Sequence, residues 1–571
     1  MIDFKNEIAK IIYSDELGLD IEEIKNMVEV PTDSSMGDYA FPCFRLAKVM
    51  RKAPPLIAKS IVLRISEDEL FSEVKQVNAY VNMFVNKKVF VKDVIEEVIE
   101  DGKNFGKSNI GEGKSVIVEY SSPNIAKPFH IGHIRSTVIG NSLYKIYEAI
   151  GYNVIRINHL GDYGTQFGKM IVAYRHWGNE EDVKASPIQT LLEYYTKFHI
   201  EVESNPKLDD EARETFTKLE NREEEELKLW KWFRDESLKE FYRVYKMLDI
   251  EFDSLDGESF YSDRMPRFLK ELKDRGLMVD SQGAQIVDLE EYGMNPALIT
   301  KSDGSTLYVT RDIAAAVYRK ETYDFEKNIY VVASQQNLHF KQWMKVLELL
   351  GYDWVKDCVH VPFGLVSLEE GTMSTRHGRV VFLEDVLNRA IEKTKDVIKE
   401  KDTNADDIEE TAKMVGIGAV IFQELSNGRI KDYVFSWDKV LNFDGETGPY
   451  VQYNHARAAS LMRKAGEEVV NKAEGKEIEY DYLTSESAYN LAKEIYRLPE
   501  VVKEAAYKYE PSIVTRQIVN IAQAFNRFYR DEYILVDNEK EKIAKMALVI
   551  ASKTALNNGL GLLGIKAPEK M

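Results

Sequence analysis

Cysteine is almost absent from this chain. Its 571 residues include only Cys43 and Cys358, which stand far apart and in no spacing typical of metal ligands. The sequence therefore excludes a disulfide framework and a cysteine-based zinc site, and it predicts two reduced thiols, as in a cytoplasmic protein. We expect a cytoplasmic location and no metal held tightly by protein side chains.

Long apolar runs are also missing. No stretch approaches the ~20 apolar residues of a membrane-spanning helix, and the start, Met-Ile-Asp-Phe-Lys-Asn-Glu, lacks the apolar segment of a secretory signal. We expect no membrane partner. Hydrophobic residues make up 44% of the chain, which is enough for real cores. At roughly 150 residues per domain, the length predicts three or four domains.

An excess of positive charge is the third absence. The net charge is -19, whereas a polyanionic partner favours a basic surface. The excess of negative charge is distributed unevenly, because residues 181–260 hold 22 acidic against 12 basic residues, while residues 441–571 hold 19 acidic against 18 basic residues. Roughly half of the negative charge thus lies in one segment, and a basic face elsewhere stays open. Charge alone does not indicate RNA.

Residues 116–157 have the pattern of a βαβ unit. An apolar strand-like run ends at Glu119, a loop follows, and a second strand-like run covers Asn153–Ile157. Between them, apolar residues recur at helical spacing before Gly151: Ile134, Val138, Leu143, Ile146 and Ile150. The start of such a helix offers free N–H groups that suit phosphate. His130, Gly132 and His133 lie there, although a helix cap with two incidental histidines is the alternative for this short motif.

The wider context resembles the arginyl-tRNA synthetases, a family of class I enzymes. Residues 122–136 read Ser-Pro-Asn-x-Ala-Lys-Pro-x-His-x-Gly-His-x-Arg-Ser, like the family's first signature. Further blocks follow in family order across almost the whole chain: His159–Gly168, Tyr308–Asp312, Ala333–His339, Met373–Gly378, Asp444–Tyr453 and Leu563–Met571. The resemblance implies a multidomain α/β protein with a Rossmann-like, parallel-sheet catalytic domain.

The domain boundaries combine this resemblance with local patterns. Residues 1–110 are expected to form an N-terminal α+β domain that contacts the outer corner of tRNA, with a merely stabilising appendage as the alternative. Residues 111–400 are expected to form the catalytic domain, interrupted at about 176–260 by an acidic helical insertion. A helical connection, 401–440, then leads to an all-α anticodon-binding bundle, 441–571.

ATP is the expected co-substrate, together with Mg²⁺. The resemblance puts His130, Gly132, His133, Met373 and Ser374 on ATP, with Arg376 adding positive charge. The usual second signature of class I is Lys-Met-Ser-Lys-Ser, but here threonine occupies both lysine positions, 372 and 375. In this family a lysine before the first signature is thought to compensate, which implies a catalytic role for Lys127. A solvent-exposed loop lysine and an ordinary polar turn are the alternatives.

The guanidinium of arginine is always charged and needs several acceptors. The resemblance assigns Glu119, Tyr308 and Asp312 to the guanidinium, and Asn124, His159 and Gln336 to the α-amino and carboxylate groups, with Ser121 completing the pocket. Without the family match, a helix cap before Ile313 is the favoured interpretation of Asp312, although a cap can also face a ligand. Glu119 alone could be a charge at a strand end, but ligands of doubly wound sheets bind at the carboxyl ends of strands.

The C-terminal helices are expected to read the anticodon, because single-stranded RNA is recognised by stacking on aromatic and arginine planes. The material available is Tyr453, Tyr509, Phe525, Phe528 and Tyr529, with Arg457, Arg516, Arg527 and Arg530. Aromatic residues at helical spacing more often belong to a core, so no single residue is assigned.

Taken together, the resemblance implies formation of arginyl-adenylate from ATP and L-arginine, followed by transfer to the 3′-terminal adenosine of tRNA-Arg. The family typically works as a monomer and often requires tRNA for activation. Two rivals stay open: another nucleotidyltransferase with a His-x-Gly-His motif, and an inactive relative that only binds tRNA.

Overall fold

The computed structural model of the chain describes residues 1–125, 127, 129–301, 308–367, 381–400, 407–440, 445–475 and 477–571. These residues form two compact units. The first comprises Met1–Phe105, Asn454–Leu498 and Gln517–Asn558. The second comprises Gly106–Tyr453, Pro499–Arg516 and Gly559–Met571. The predicted domain boundaries near 110, 400 and 440 stay predictions.

The first unit contains an antiparallel sheet in the order Tyr39–Pro42, Tyr80–Val85, Phe71–Val77. The alternating sequence Val81-Asn-Met-Phe-Val85 is typical of a strand, and the structure confirms one there. The helices of the N-terminal part are Phe4–Ile12, Ile21–Met27, Leu46–Met50, Pro54–Ile65 and Lys87–Asp101. In Pro54–Ile65 the apolar residues recur at helical spacing, but this spacing predicts the core only in part, since Ile57 and Ile61 are buried while Leu56 and Leu63 point to solvent.

The second unit is built on a parallel sheet with the strand order Cys358–Phe363, Lys327–Ala333, Ser115–Glu119, Asn153–Ile157. The two strands predicted from apolar runs, ending at Glu119 and at Ile157, are thus confirmed, and the fold class with them. The apolar sequence of Lys327–Ala333 likewise indicates a strand, and it forms one. The predicted helix after the first strand spans Ile134–Ala149. It approaches that strand closely at Gly140, where any side chain would collide with Tyr120. The helix therefore holds its N-terminus against the carboxyl end of the sheet.

The predicted helical insertion is also present. Its helices, with the one leading into them, are Thr165–Trp177, Glu180–Ala185, Pro187–Ser204, Lys207–Glu220 and Glu224–Leu248. The last begins with three glutamates, whose charges favour a helix N-terminus. Its other face is apolar and buries Phe233, Phe241 and Tyr245. The acidic segment thus packs one face and exposes the other.

Several further elements complete the chain. An antiparallel sheet that the sequence patterns did not predict contains Met278–Ser281, Ala284–Val287 and Ala297–Thr300. A short parallel pair joins Val366–Ser367 to Tyr433–Val434. The remaining helices of the second unit before residue 445 are Met265–Asp274, Tyr308–Tyr323, Asn337–Leu349, Leu383–Glu400, Ile408–Ser426 and Trp437–Val440.

The last part of the chain is helical, as expected. Its helices are Gly448–Ala465, Glu467–Ala473, Glu486–Tyr496, Leu498–Lys508, Ser512–Asp531 and Glu539–Leu562. Phe525 and Phe528 are fully buried, so the alternative of core packing is correct for both. Tyr453 and Tyr529 remain more than one-third exposed. Within the described ranges, no helix combines the length and apolar character needed to cross a membrane.

Candidate active site

The candidate site lies at the carboxyl edge of the parallel sheet. All four strands are parallel, but the order in which the chain adds them reverses between the two inner strands. After Ser115–Glu119 the next strand is added on one side, and after Lys327–Ala333 the next strand is added on the other side. Ligands of doubly wound sheets bind in the crevice at such a point. Four expected site residues follow strand ends here: Glu119 closes the first strand, Ser121 follows it, His159 follows Asn153–Ile157, and Gln336 follows Lys327–Ala333.

The two histidines of the first signature are fixed by the backbone. The Gly132 N–H donates to Nδ1 of His130 at 3.0 Å, and the His130 N–H donates to Nδ1 of His133 at 3.2 Å. Both Nδ1 atoms are therefore acceptors, which leaves each neutral ring with its proton on Nε2. Burial, with the charge of Lys127, lowers the pKa of His130 to about 4, and burial holds the pKa of His133 well below its ordinary value. The rings are neutral hydrogen-bond donors.

His130 is thus also a cap of the short turn Ile131–His133, as the alternative interpretation had it. Capping uses Nδ1 and does not compete with donation from Nε2.

Lys127 lies close enough to His130 for its charge to depress the pKa of that ring. Its ammonium lies 6.0 Å from the ring centroid of Tyr195, a contact with the helical insertion. The side chain is half-buried, which differs from a freely solvated loop lysine.

The first signature contacts the segment that precedes residues 368–380 and the segment that follows them. His130 pairs with Phe382 in an antiparallel bridge, and the Ile131 N–H donates to the Val381 carbonyl at 3.1 Å. On the other side, the buried guanidinium of Arg135 donates to the carbonyls of Gly364 and Lys431 at 3.0 and 2.6 Å. Met373, Ser374 and Arg376 themselves lie outside the described residues, as do Thr372 and Thr375.

Glu119 is already paired with a residue of the chain. Its carboxylate lies 2.5 Å from Nη1 of Arg319, and both side chains are almost completely buried. Burial alone would lower the pKa of Arg319, but the charge of Glu119 keeps it well above its ordinary value. Nη2 of Arg319 also approaches Nδ1 of His159 at 3.4 Å. Arg319 therefore links two residues expected to bind arginine.

Asp312 is paired in a similar way. Its Oδ2 accepts a hydrogen bond from Nε2 of His339, at the start of the Asn337–Leu349 helix. The interpretation of Asp312 as a helix cap is wrong, because the helix already includes Tyr308. Asp312 lies one turn inside it, where its carboxylate is directed at a neighbouring helix. Tyr308 is 56% exposed, so its ring can form an open wall of the site.

A third acid, Glu258, was not predicted. It accepts a hydrogen bond from Nη1 of Arg311 at 2.9 Å. Burial raises its pKa to about 7, although Arg311 opposes the rise. Asp162 anchors the turn that carries Glu258, because it accepts from the N–H and the hydroxyl of Ser259 at 2.9 and 2.8 Å.

The remaining candidates differ in accessibility. Ser121 is buried, and its hydroxyl hydrogen-bonds with Thr137 and Tyr245 at 2.9 and 2.8 Å. Asn124 and Gln336 are exposed. Asn124 forms a bridge with Gly161 that ties the first loop to the loop after the second strand. The roles of all three stay predictions.

Sequence reasoning missed Arg319, His339, Arg311 and Glu258. Arg319 follows Asp312 by seven residues, and two helical turns place both on one face, so spacing could have indicated it. His339 and Arg311 lay inside the quoted motifs. No local signal indicated Glu258. Among the described residues, no group of three or more histidine, cysteine or acidic side chains is arranged to hold a metal.

Comparison with known families agrees with this fold. Residues 94–437 match the family described as tRNA synthetases class I (R), catalytic domain. Residues 451–571 match the DALR anticodon binding domain, and residues 3–85 match the Arginyl tRNA synthetase N terminal domain. The fold and the catalytic match define a class I aminoacyl-tRNA synthetase.

Whole-chain relatives narrow the class to one family. The chain is 57% identical to an arginine--tRNA ligase from Halothermothrix orenii and 58% identical to one from Clostridioides difficile, over all of each chain. It also resembles the solved arginyl-tRNA synthetase of Thermus thermophilus, with a TM-score of 0.79 and 25% identity over 95% of this chain and 96% of that one. The Plasmodium falciparum enzyme gives 0.74 and 27%, over 95% and 94%. The chain belongs to the arginyl-tRNA synthetase family, whose members attach arginine to tRNA-Arg.

Proposed function

We propose that this chain activates L-arginine with ATP and transfers it to the 3′-terminal adenosine of tRNA-Arg. In the first step a carboxylate oxygen of arginine attacks the α-phosphorus of ATP, the bond to pyrophosphate breaks, and arginyl-adenylate forms. In the second step a hydroxyl of the terminal adenosine attacks the arginyl carbonyl and AMP leaves. One observation carries the proposal: neutral Nε2–H donors and cation-binding acids meet at one edge of the sheet.

His130 and His133 are proposed to donate from Nε2 to phosphate oxygens of ATP. Their Nδ1 atoms are held by backbone N–H groups at 3.0 and 3.2 Å, so both donors are preorganised. Gly132, between them, leaves room for the nucleotide. Lys127 is proposed to stabilise the charge that develops as pyrophosphate leaves, since a fixed cation there acts mainly on the transition state. Met373, Ser374 and Arg376 are proposed to add further contacts to the phosphates.

Arginine is proposed to bind with its guanidinium facing Asp312, Glu119 and Tyr308. Asp312 is only partly exposed, which strengthens its interaction with a bound cation. Asn124, His159 and Gln336 are proposed to contact the α-amino and carboxylate groups, with Ser121 supporting the pocket from behind.

The tRNA is proposed to contact three parts of the chain. Residues 1–110 would hold its outer corner, residues 111–400 its acceptor end, and residues 441–571 its anticodon, with residues 401–440 as a connection. Mg²⁺ is proposed to enter with ATP, because phosphate oxygens are ligands that it prefers. We further propose that the enzyme acts as a monomer in the cytoplasm, where charged tRNA is consumed.

The proposal is tested by ATP–pyrophosphate exchange with a panel of amino acids, with and without tRNA-Arg. We expect exchange with L-arginine alone among the panel. Exchange with another amino acid would indicate a different synthetase, and tRNA binding without any exchange would indicate an inactive relative.

A further inference from the structure

Asp312 is shared between the expected substrate and a histidine of the chain. Nε2 of His339 donates to Oδ2 of Asp312, and the two side chains are 22% and 28% exposed. A ligand can therefore reach this carboxylate, but it meets a histidine that already occupies one oxygen. Asp312 can therefore pair either with His339 or with the guanidinium of bound arginine.

Charged and titratable groups lie on each element around His339. Asp312 and Arg311 lie on the Tyr308–Tyr323 helix, and Glu258 lies on the turn Glu258–Arg264. His360, on the strand Cys358–Phe363, stacks on Phe340 with 4.1 Å between centroids. The charged turn Asp353–Asp357 follows the other end of the helix that His339 begins.

The sum of these effects favours the protonated ring. Burial lowers the pKa of His339, but the hydrogen bond and charge of Asp312, with the charge of Glu258, raise it above its ordinary value. Burial lowers the pKa of His360, so that neighbour stays neutral. His339 therefore stays protonated against Asp312 to a higher pH than an ordinary histidine does.

We propose that His339 is a specificity-determining residue that competes with the guanidinium of arginine for Asp312, so that binding of arginine expels a proton from His339. The inference rests on the proposed function and deepens it. It assigns to His339 a role different from that of Arg319, whose permanent charge stays on Glu119.

Two cations beside one carboxylate repel each other, and the one that loses its proton more readily becomes neutral. A guanidinium does not lose its proton in proteins, whereas an imidazole does so readily. Placing a second cation beside His339 disfavours its protonated form, whether the ring stays at Asp312 or moves away. The pKa of His339 is then lower in the complex than in the free enzyme. Between these two values a proton is released on binding, and affinity for arginine rises with pH.

The size of the effect follows from linkage. If one full proton is released, the dissociation constant falls by about tenfold per pH unit within that interval. Above the pKa of the free enzyme the dependence disappears. Competition also favours ligands that hold their charge strongly, since a weak or badly placed cation cannot displace the proton.

Glu258 must be separated from His339, because its pKa of about 7 lies in the same range. A bound cation favours its ionised form, which also releases a proton. His339→Gln keeps an N–H near the position of Nε2 but removes the titration. Glu258→Gln is the matched control, because it removes the other titrating group and keeps the histidine.

The experiment is calorimetric titration of the full chain with L-arginine, between pH 6 and 8.5, in two buffers of different ionisation enthalpy. The wild type is expected to release up to one proton from His339, with any release from Glu258 in addition, and to bind more tightly as pH rises. His339→Gln should lose the share that belongs to His339, whereas Glu258→Gln should retain that share. Equal release by His339→Gln and the wild type would overturn the inference.

A second measurement uses only the wild type, in case His339→Gln does not fold. Ring signals of the nine histidines are followed by NMR from pH 6 to 8.5 with and without L-arginine. One ring should titrate at a lower pH when arginine is present. If arginine binds and no ring changes charge, the inference fails while the proposed function stands. If arginine does not bind at any pH, the proposed function fails and the inference with it.

Discussion

Arg135 and Glu424 face each other in the interior, with 3.8 Å between Nε and Oε2 and almost no exposure of either side chain. Arg135 is well supplied with carbonyl acceptors, but among the described residues neither oxygen of Glu424 has a hydrogen-bond partner. Burial raises the pKa of Glu424 to about 8, although Arg135 opposes the rise. The carboxyl therefore keeps its proton at neutral pH, and this has a consequence for stability.

Glu424→Gln should change how stability depends on pH. In the unfolded chain this carboxyl is ionised above about pH 5, whereas in the folded protein it stays protonated to about pH 8. Unfolding thus releases a proton in this range, and stability falls as pH rises, by at most about 1.4 kcal/mol per pH unit. The glutamine variant lacks this loss. Urea unfolding at pH 5.5 and 8 tests it, with the exposed Glu410→Gln as control. An equal pH dependence in Glu424→Gln and the wild type would contradict the prediction.

Asp312→Ala should raise the KM for arginine far more than the KM for ATP. Removing one partner of a hydrogen-bonded charge pair costs about 2–5 kcal/mol, and only arginine is proposed to use this acid. Steady-state kinetics at varied concentrations of each substrate provide the measurement. Equal losses for both substrates in a folded variant would remove Asp312 from the arginine pocket.

Lys127→Ala should slow adenylate formation by about 10²-fold or more and affect arginine binding less. A preorganised donor at a developing negative charge is worth roughly 2.7–4 kcal/mol. Lys127→Arg should rescue only in part, because a planar fork does not replace an ammonium. Single-turnover adenylate formation in the presence of tRNA is the assay.

The matched control for Lys127 is Lys197→Ala, which also removes an ammonium over an aromatic ring, here 4.9 Å from Trp177. It should stay within about 0.5 kcal/mol of the wild type. If Lys127→Ala behaves like this control, the compensating charge comes from elsewhere, with Arg376 as the first candidate.

Arg319→Met should destabilise the protein by about 3–5 kcal/mol, because it leaves the buried carboxylate of Glu119 unpaired. Adding Glu119→Gln should restore most of this stability, since a neutral amide needs no counter-charge. Arginine affinity should stay low in the double variant. Urea unfolding and equilibrium binding separate the two effects. Arg264→Met serves as control, because its guanidinium packs on Phe260 at 4.3 Å and, within the described part of the chain, pairs with no buried acid. A double variant no more stable than Arg319→Met would show that the pair is not the cause.

Tyr529→Ala should weaken the use of tRNA and leave adenylate formation unchanged. The ring is 42% exposed, with the guanidinium of Arg457 4.8 Å from its centroid. Base stacking on such a ring is worth about 1–3 kcal/mol. The KM for tRNA-Arg in aminoacylation is the readout. Tyr292→Ala is the control, because that tyrosine is 43% exposed beneath Lys345. Equal KM values for the two variants would argue against stacking at Tyr529.

The sequence predicts the two inner strands of the parallel sheet well, because Ser115–Glu119 and Lys327–Ala333 are largely buried and read as apolar runs. The strands between 278 and 300 carry mixed polarity, so no run indicated them. Phe525 and Tyr529 lie at a helical spacing that fits both core packing and base stacking. Only tertiary packing decides that Phe525 is buried and Tyr529 is exposed.

The candidate site was predictable in its acids but not in their partners. Glu119 ends a strand that its apolar run indicates and Asp312 lies in a quoted motif, whereas their pairing with Arg319 and His339 depends on how distant elements meet. The cap interpretation of Asp312 failed because a capping residue and an inward-facing helical residue have the same local chemistry. Charge pairing in a pocket depends on tertiary structure. The local sequence can indicate a pair only where helical spacing puts two residues on one face.

The second unit includes Gly559–Met571, and this affects the order in which the protein can fold during synthesis. The hydroxyl of Ser142 donates to the Leu562 carbonyl at 3.0 Å, so the helix after the first signature is completed by residues translated more than 400 positions later. The nucleotide-binding fold consequently stays unfinished on the ribosome until residues 559–571 have emerged. A nascent chain that stalls before this point should be a better substrate for chaperones and proteases than its length suggests.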